Sequence, residues 1–209
     1  MARLCIFSDS HGNLAGIHAT LAHAREHGCD DFLCLGDIAD GTEDGELAAL
    51  FLRESGMPCV RGNHDEDRGT TPLTDETRAW LQGLPSEIRR EGVLFTHIAP
   101  GNDPRPILSP WRAASVFEDH DDFRLLFIGH LHYPVLYPER SELTSDPAKS
   151  GWLYGVEIPL DPTDRYIACV GSVGYPRDGM RQLRYVIYDD QRHAITFMRF
   201  KGPLLEYGV

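Results

Sequence analysis

Five short polar signals punctuate the first 132 residues, and each stands directly after a run of apolar residues. They are Asp9-Ser10-His11, Gly36-Asp37, Gly62-Asn63-His64-Asp65, His97 and Gly129-His130-Leu131-His132. The runs ahead of them, over 3–8, 31–35, 58–60, 92–96 and 124–128, have the length and apolar character of short buried strands. Helical periodicity fills the gaps between the first three. Over 13–27, Leu14, Ile17, Leu21 and Ala24 recur on one face. Over 43–55, Leu47, Leu50 and Phe51 are expected inward. Strand and helix in alternation predict βαβ units with parallel strands. Ligands of open α/β sheets collect at the carboxyl ends of strands. Five loops distant along the chain are therefore expected to meet at one edge.

The remainder is less regular. A helix is expected over 75–81. A loop is expected over 99–110, which is rich in Pro, Gly, Asn and Asp. The stretch 143–151 reads as exposed and turn-rich. Strands are expected over 167–170, 183–188 and 194–200, with a turn at Asp189-Asp190. A length of 209 residues suits one domain, 1–209. Cys5, Cys29, Cys34, Cys59 and Cys169 form no Cys-x-x-Cys pair and sit in apolar runs, which predicts buried thiols in a reducing cytoplasm. The first residues lack the pattern of a signal peptide, and no stretch reaches the roughly 20 apolar residues of a membrane span. A net charge of −12 argues against sequence-independent binding to nucleic acid. It leaves room for a small phosphorylated substrate, because cations bound in a cleft invert the local field.

Each signal alone has an ordinary explanation. Asp9 could cap a helix, Gly36-Asp37 could be a turn, Asn63 could be a left-handed turn residue, and a lone His97 could be a satisfied core histidine. All five in order, each ending a strand, are not explained by capping.

The series resembles the calcineurin-like metallophosphoesterases, whose pattern runs D-x-H, G-D, G-N-H-D/E, H and G-H-x-H. The later Gly171-Ser172-Val173-Gly174-Tyr175-Pro176-Arg177 is similar to the Gly-Ser-Val-x-x-Pro-Arg segment of the small bacterial and archaeal branch. The resemblance implies a four-layer α-β-β-α sandwich with a dinuclear site at one edge. It implies Asp9, His11 and His132 on one metal, Asn63, His97 and His130 on the other, and Asp37 bridging both. Such mixed imidazole and carboxylate ligands suit Mn, Fe, Zn, Co or Ni better than Ca or Mg alone. The implied reaction is hydrolysis of phosphodiester or phosphoanhydride bonds, with a metal-bridging hydroxide as nucleophile. Nucleotides such as dinucleoside polyphosphates would be substrates. His64 would stabilise charge or protonate the leaving oxygen, and Asp40 would hold its ring. Asn63, His64 and Arg177 would contact substrate. Two alternatives stay open: a phosphomonoesterase of the same fold, and a non-catalytic protein-binding scaffold.

The sequence departs from the pattern twice. Gly41 stands where related Ser/Thr phosphatases carry a phosphate-gripping arginine, and Ile98 follows His97 where many members have glycine. Arg105 and Arg112 flank the loop after His97 and read as exposed charge or as phosphate contacts. Trp111 and Tyr133 could stack on a base or pack in the core. His23-Ala24-Arg25-Glu26-His27 matches a zinc-peptidase signature. Its histidines fall opposite the apolar stripe, which predicts a solvated face. Glu43, Asp44 and Glu46 are expected to complement a helix N-terminus.

Overall fold

The computed structural model describes residues 3–40, 44–66, 72–140 and 154–206. Gly41, Glu43 and the turn-rich stretch 143–151 lie outside the described residues.

Alternation along each central strand explains the layering. In β1 (Arg3–Phe7), Leu4 and Ile6 point one way and Cys5 and Phe7 the other, and all four are buried. In β5 (Leu125–Ile128), Leu125 and Phe127 oppose Leu126 and Ile128, again all buried. A strand apolar on both faces must be covered on both. Three separate cores supply the cover. The middle one joins Leu4 and Ile6 to Val93, Phe95, Leu125 and Phe127, where two five-stranded sheets meet face to face. The first sheet has the order β2 (Cys29–Cys34), β1, β9 (Leu183–Asp189), β10 (Ala194–Phe200), β7 (Glu157–Pro159). The second has the order β3 (Glu87–Arg90), β4 (Val93–Thr96), β5, β8 (Tyr166–Val170), β6 (Pro134–Pro138). Helices α1 (Leu14–Glu26), α2 (Gly45–Ser55) and α3 (Asp75–Gln82) cover the outer face of the first sheet. Helix α4 (Pro110–Asp119) covers the outer face of the second. The result is the expected four-layer α-β-β-α sandwich.

Local chemistry sets the helix starts. Asn13 caps α1 by accepting from Gly16 N at 2.9 Å, and Ser109 caps α4 by accepting from Arg112 N at 3.2 Å with Pro110 in the first turn. Parallel pairing holds for β1–β2, β4–β5 and β5–β8.

Several expectations need correction. The segment 58–60 makes only a single parallel bridge, Cys34 to Cys59, beside β2. Helix α2 begins at Gly45, and Gly45, Ala48, Ala49 and Leu52 are its buried residues; Phe51 packs against the core as expected, whereas Leu47 is 52% exposed. Small alanines there allow α2 to lie close against its neighbours. The loop expected over 99–110 ends in the first residue of α4, and Pro100–Asn102 forms a short 3-10 turn. His23 is half-buried: its ring stacks on Phe200 at 4.1 Å and its Nδ1 lies 2.8 Å from the Tyr185 hydroxyl. Only His27 keeps the exposure expected of that pair. All five cysteines are buried and free. No helix among the described residues is long and apolar enough to cross a membrane.

Candidate metal centre

The ligand candidates leave the strands within a few residues of their carboxyl ends. Asp9 follows β1, Asp37 follows β2, His97 follows β4 and His130 follows β5. Asp9, His11, Asp37, His130 and His132 all have left-handed backbone, with φ of 56°, 47°, 53°, 65° and 62°. Asp and His tolerate this region better than most residues, and such strain gathers at functional sites. Asn63, whose ordinary alternative reading is a left-handed turn residue, is not among them.

Glycine lets the loops touch. A Cβ on Gly62 would stand 2.2 Å from Asp37 Oδ1, and one on Gly129 would stand 2.1 Å from Ser8 Oγ. Backbone bonds then lock the loops together: Asp9 N to Gly36 O at 3.0 Å, His11 N to Asp37 O at 3.0 Å, Gly129 N to His97 O at 3.0 Å.

The side chains converge into two groups that share one carboxylate. Asp9, His11, Asp37 and His132 bring ligand atoms within 4.8 Å of one another, and so do Asp37, His97 and His130. His11 Nε2 lies 3.2 Å from His132 Nε2 and 3.9 Å from Asp37 Oδ2. His132 Nε2 lies 3.1 Å from Asp9 Oδ1, and His97 Nε2 lies 3.1 Å from Asp37 Oδ2. Asn63 Oδ1 joins the second group 2.9 Å from His130 Nδ1. A third group, His11, Asp40 and His64, overlaps the first.

These atoms fit cations. Asp9 Oδ1, Asp37 Oδ2 and His97 Nε2 are buried, and no aligned hydrogen bond satisfies them. Buried polar atoms are nearly always satisfied, so three orphans converging on one spot leave a place for positive charge. The imidazoles are turned for ligation. His97 Nδ1 donates to Leu35 O at 2.6 Å and His132 Nδ1 donates to Tyr175 O at 2.6 Å, which frees each Nε2.

Electrostatics agree. Burial pushes the Asp37 carboxyl up, yet the imidazoles of His97, His11 and His64 outweigh it and hold it well below the usual range. Asp9 is lowered too, against its burial, by His132 and His97. Burial lowers His11 to about 4, so it stands neutral and ready to ligate. His97 goes the other way. Its burial is outweighed by Asp37 and Asp9, and it is raised to about 10. Without a cation, a proton takes the place of positive charge beside Asp37.

His64 belongs to the third of these groups, its ring meeting that of His11 edge-on at 5.2 Å. Its Nδ1 meets Asp40 Oδ2, the partner expected from sequence, and its backbone N donates to Asp37 Oδ1 at 2.8 Å. Its side chain is 33% exposed.

Asp65 had no assigned role, though it lies inside one of the five signals. It is buried, and its carboxylate accepts from Asp37 N at 2.9 Å, Gly62 N at 2.8 Å and Ile38 N at 2.8 Å. It therefore clamps the Asp37 loop to the Asn63 loop. Burial and the nearby Asp37 charge raise it to about 7. Ser172 does similar work: its hydroxyl donates to Asp9 O at 2.9 Å and accepts from Gly174 N and Tyr175 N. Asp65 could have been suspected from its place within a signal and Ser172 from the Gly171–Arg177 segment, but the spacing does not say what they hold.

The remaining candidates separate clearly. Arg177 N donates to His132 O at 3.0 Å, while its side chain is exposed beside the centre. Arg105 and Arg112 both pair with Asp103, at 2.7 Å and 2.5 Å. Trp111 is 87% exposed and so is not a core residue, whereas Tyr133 packs against the outer core of the second sheet. Glu46 accepts from Thr74 and Thr77, tying α2 to α3.

Comparison with known proteins agrees with this architecture. Residues 2–192 match the calcineurin-like phosphoesterase superfamily domain. An uncharacterised protein of Methanocaldococcus jannaschii is 28% identical over 94% of this chain and 86% of its own length. The crystal structure of a metallophosphoesterase from Sphaerobacter thermophilus superposes with a TM-score of 0.82 at 27% identity, covering 96% of this chain and 88% of that one. A hypothetical protein of Pyrococcus horikoshii shares the fold, with a TM-score of 0.68 at 15% identity over 97% of this chain and 89% of that one. A sandwich whose strand ends gather unsatisfied imidazole and carboxylate atoms, together with these matches, makes the chain a phosphoesterase that belongs to the calcineurin-like superfamily.

Proposed function

We propose that the protein hydrolyses phosphodiester or phosphoanhydride bonds of small substrates such as nucleotides, using two divalent cations held around Asp37. One observation carries this reading: the Asp37 carboxylate belongs to both ligand groups at once. Asp9, His11 and His132 would hold one cation, Asn63, His97 and His130 the other, and Asp37 both. Bound cations of the Mn, Fe, Zn, Co or Ni type would neutralise phosphate charge and lower the pKa of a coordinated water.

The chain's own groups do the rest. His64 stands on the open flank with Asp40 against its Nδ1, which leaves Nε2 to carry a proton toward a leaving oxygen or to meet negative charge on the substrate. The backbone bond from His64 N to Asp37 Oδ1 fixes that ring relative to the shared carboxylate. Arg177, exposed on the loop bonded to His132, is placed to meet a phosphate oxygen pair. Burial of His11, His97 and His132 keeps water from competing for the carboxylates. The middle core shared by both sheets supports reading the chain as one domain.

The test compares bis-p-nitrophenyl phosphate with p-nitrophenyl phosphate, followed by dinucleoside polyphosphates, on protein loaded with Mn²⁺. Faster turnover of the diester supports the reading. Faster turnover of the monoester makes the protein a phosphomonoesterase. Inactivity on all of them with cations bound would leave the scaffold reading.

A further inference from the structure

The loop after β8 carries an ion pair that the proposed chemistry leaves unused. Arg184, near the start of β9, is wholly buried, at 0% exposed. Its Nη2 and Nε donate to Asp178 Oδ2 at 2.6 Å and 2.8 Å, and its Nη1 donates to Gln182 O at 2.6 Å and to Leu183 O at 3.3 Å. The Asp178 side chain is as deep, at 1% exposed. The Tyr154 ring lies 5.4 Å from the guanidinium, its hydroxyl donates to Asp178 Oδ2 at 3.4 Å, and Met180 N donates to Asp178 Oδ1 at 3.1 Å. Buried this deeply, neither charge meets a substrate.

What the pair anchors is the loop that holds His132. Tyr175 O accepts from His132 Nδ1 at 2.6 Å, and Arg177 N donates to His132 O at 3.0 Å. The loop is fixed at its first end by Ser172, whose hydroxyl accepts from Gly174 N and Tyr175 N. Beyond Pro176 it is exposed: among residues 177–181 only the Asp178 side chain turns inward. Arg184 meets both ends. Its backbone N donates to Ser172 O at 3.0 Å, and its guanidinium grips Asp178. The fit is close, since a Cβ on Gly171 would stand 2.5 Å from the Arg184 Cβ. One residue of β9 thus closes the stretch 172–178, which bonds His132 twice.

Stability alone is a poor reason for such a pair. Taking two charges out of water offsets much of their attraction, and apolar residues of similar volume often serve as well or better. A guanidinium fork supplies fixed geometry instead. We infer that Arg184 and Asp178 are positioning residues for the metal centre: by fixing the Tyr175–Arg177 stretch, they aim His132 Nε2 at the cation. The inference rests on the proposed role of His132 as a ligand. An imidazole whose other nitrogen loses its acceptor is free to turn and to change tautomer, and losses of this kind weaken cation binding by about 10- to 100-fold.

Calorimetric titration of the metal-free full chain with Mn²⁺ tests this. The variant is Arg184→Met with Asp178→Asn, which removes both charges at similar volume, so its unfolding temperature should stay near the parent's. One of the two Mn²⁺ ions of the proposed centre should bind about 10- to 100-fold more weakly. In a His132→Ala background the same two changes should weaken binding no further, because the pair acts through that ring. Proton NMR of the metal-free chain gives a reading that needs no cation. The His132 Nδ1–H signal, assigned by its absence in His132→Ala, should broaden or vanish in the variant. Parent-like Mn²⁺ affinity, a loss of equal size in the His132→Ala background, or an unchanged His132 signal would each overturn the inference. If the variant folds poorly, Arg184→Lys, which keeps the charge and loses the fork, goes through the same cycle with the same expectations. A parent that binds no Mn²⁺ overturns the ligand role of His132 and this inference with it. A chain that binds Mn²⁺ as expected yet turns over no phosphate ester sinks the proposed hydrolysis and leaves this inference standing.

Discussion

The two flanks of Asp37 are built from the same chemistry and behave differently. On one, Asp9, His11 and His132 are almost wholly buried, with side-chain exposures of 0%, 5% and 3%. On the other, His97 is buried, but Asn63 and His130 are half-exposed and His64 is 33% exposed. Protons divide the same way. His11 is held neutral by burial, lowered to about 4, while His97 is held charged by Asp37, raised to about 10. A ligand imidazole must be neutral. On the proposed reading, the closed flank would take a cation without losing a proton from His11, and the open flank would have to release one from His97. The open flank is also where a substrate can reach His64. Burial fixes charge on one side, and partial exposure admits chemistry on the other.

The strongest way to break this comparison is to remove what the flanks share. Asp37→Asn should lower turnover by more than about 10⁴, since each cation is worth several kcal/mol of charge stabilisation. Metal analysis should then show that both flanks have lost cations. A variant that keeps a full complement would separate the flanks and remove Asp37 as the bridge.

Next in size is the open flank's own residue. His64→Ala should lower turnover by about 10²–10⁴, as for loss of a general acid, with cation content unchanged. Steady-state kinetics beside metal analysis reads both. Loss of cations in this variant would make His64 a ligand instead.

Asp65→Asn sharpens the comparison from below. An amide keeps one oxygen for the N–H groups of Asp37 and Gly62 but sets its own N–H against the N–H of Ile38, which loosens the join between the flanks. Cation affinity or turnover should fall by about 10- to 100-fold, as for lost outer-shell support. Unchanged affinity would mean that the loops hold their positions without the clamp.

The smallest effects come with pH. Below about pH 10, binding a cation on the open flank displaces the His97 proton, so affinity should rise by about tenfold per pH unit through neutrality. Calorimetry in buffers of different ionisation heat would count the released proton. In chelator-treated protein, His97 is raised above the ordinary value of 6.5. Its stabilising contribution is complete below that value and lost as pH climbs toward about 10. The unfolding temperature should therefore fall over this window, and saturating Mn²⁺ should flatten the decline. A flat curve without cations would show that His97 is not charged.

Much of this was legible in the chain. The five signals contain every residue of the two groups that share Asp37, because metal ligation needs particular donor atoms and strand ends put them at one edge, whereas Asp40 of the third group lies outside them. The α1 stripe and the strand over 194–200 were equally clear, since their periodicity is long and regular. The short strands Glu87–Arg90 and Pro134–Pro138 were missed. The first alternates weakly and carries two arginines, and the second starts and ends with proline, which sequence patterns read as loop. Helix α2 showed three large apolar residues, of which Phe51 packs against the core and Leu47 is exposed, while the fold fully buries the alanines beside them.

Sequence by itself determined which donor atoms are present, their order, and the strand and helix periods that carry them, because these depend on residues near one another along the chain. Only the tertiary structure decided that Asp37 lies between two ligand groups, that Asp65 clamps their loops, and that His23 packs on Phe200. Each of those depends on what a second element, distant in sequence, brings against the first, and no local pattern encodes its partner.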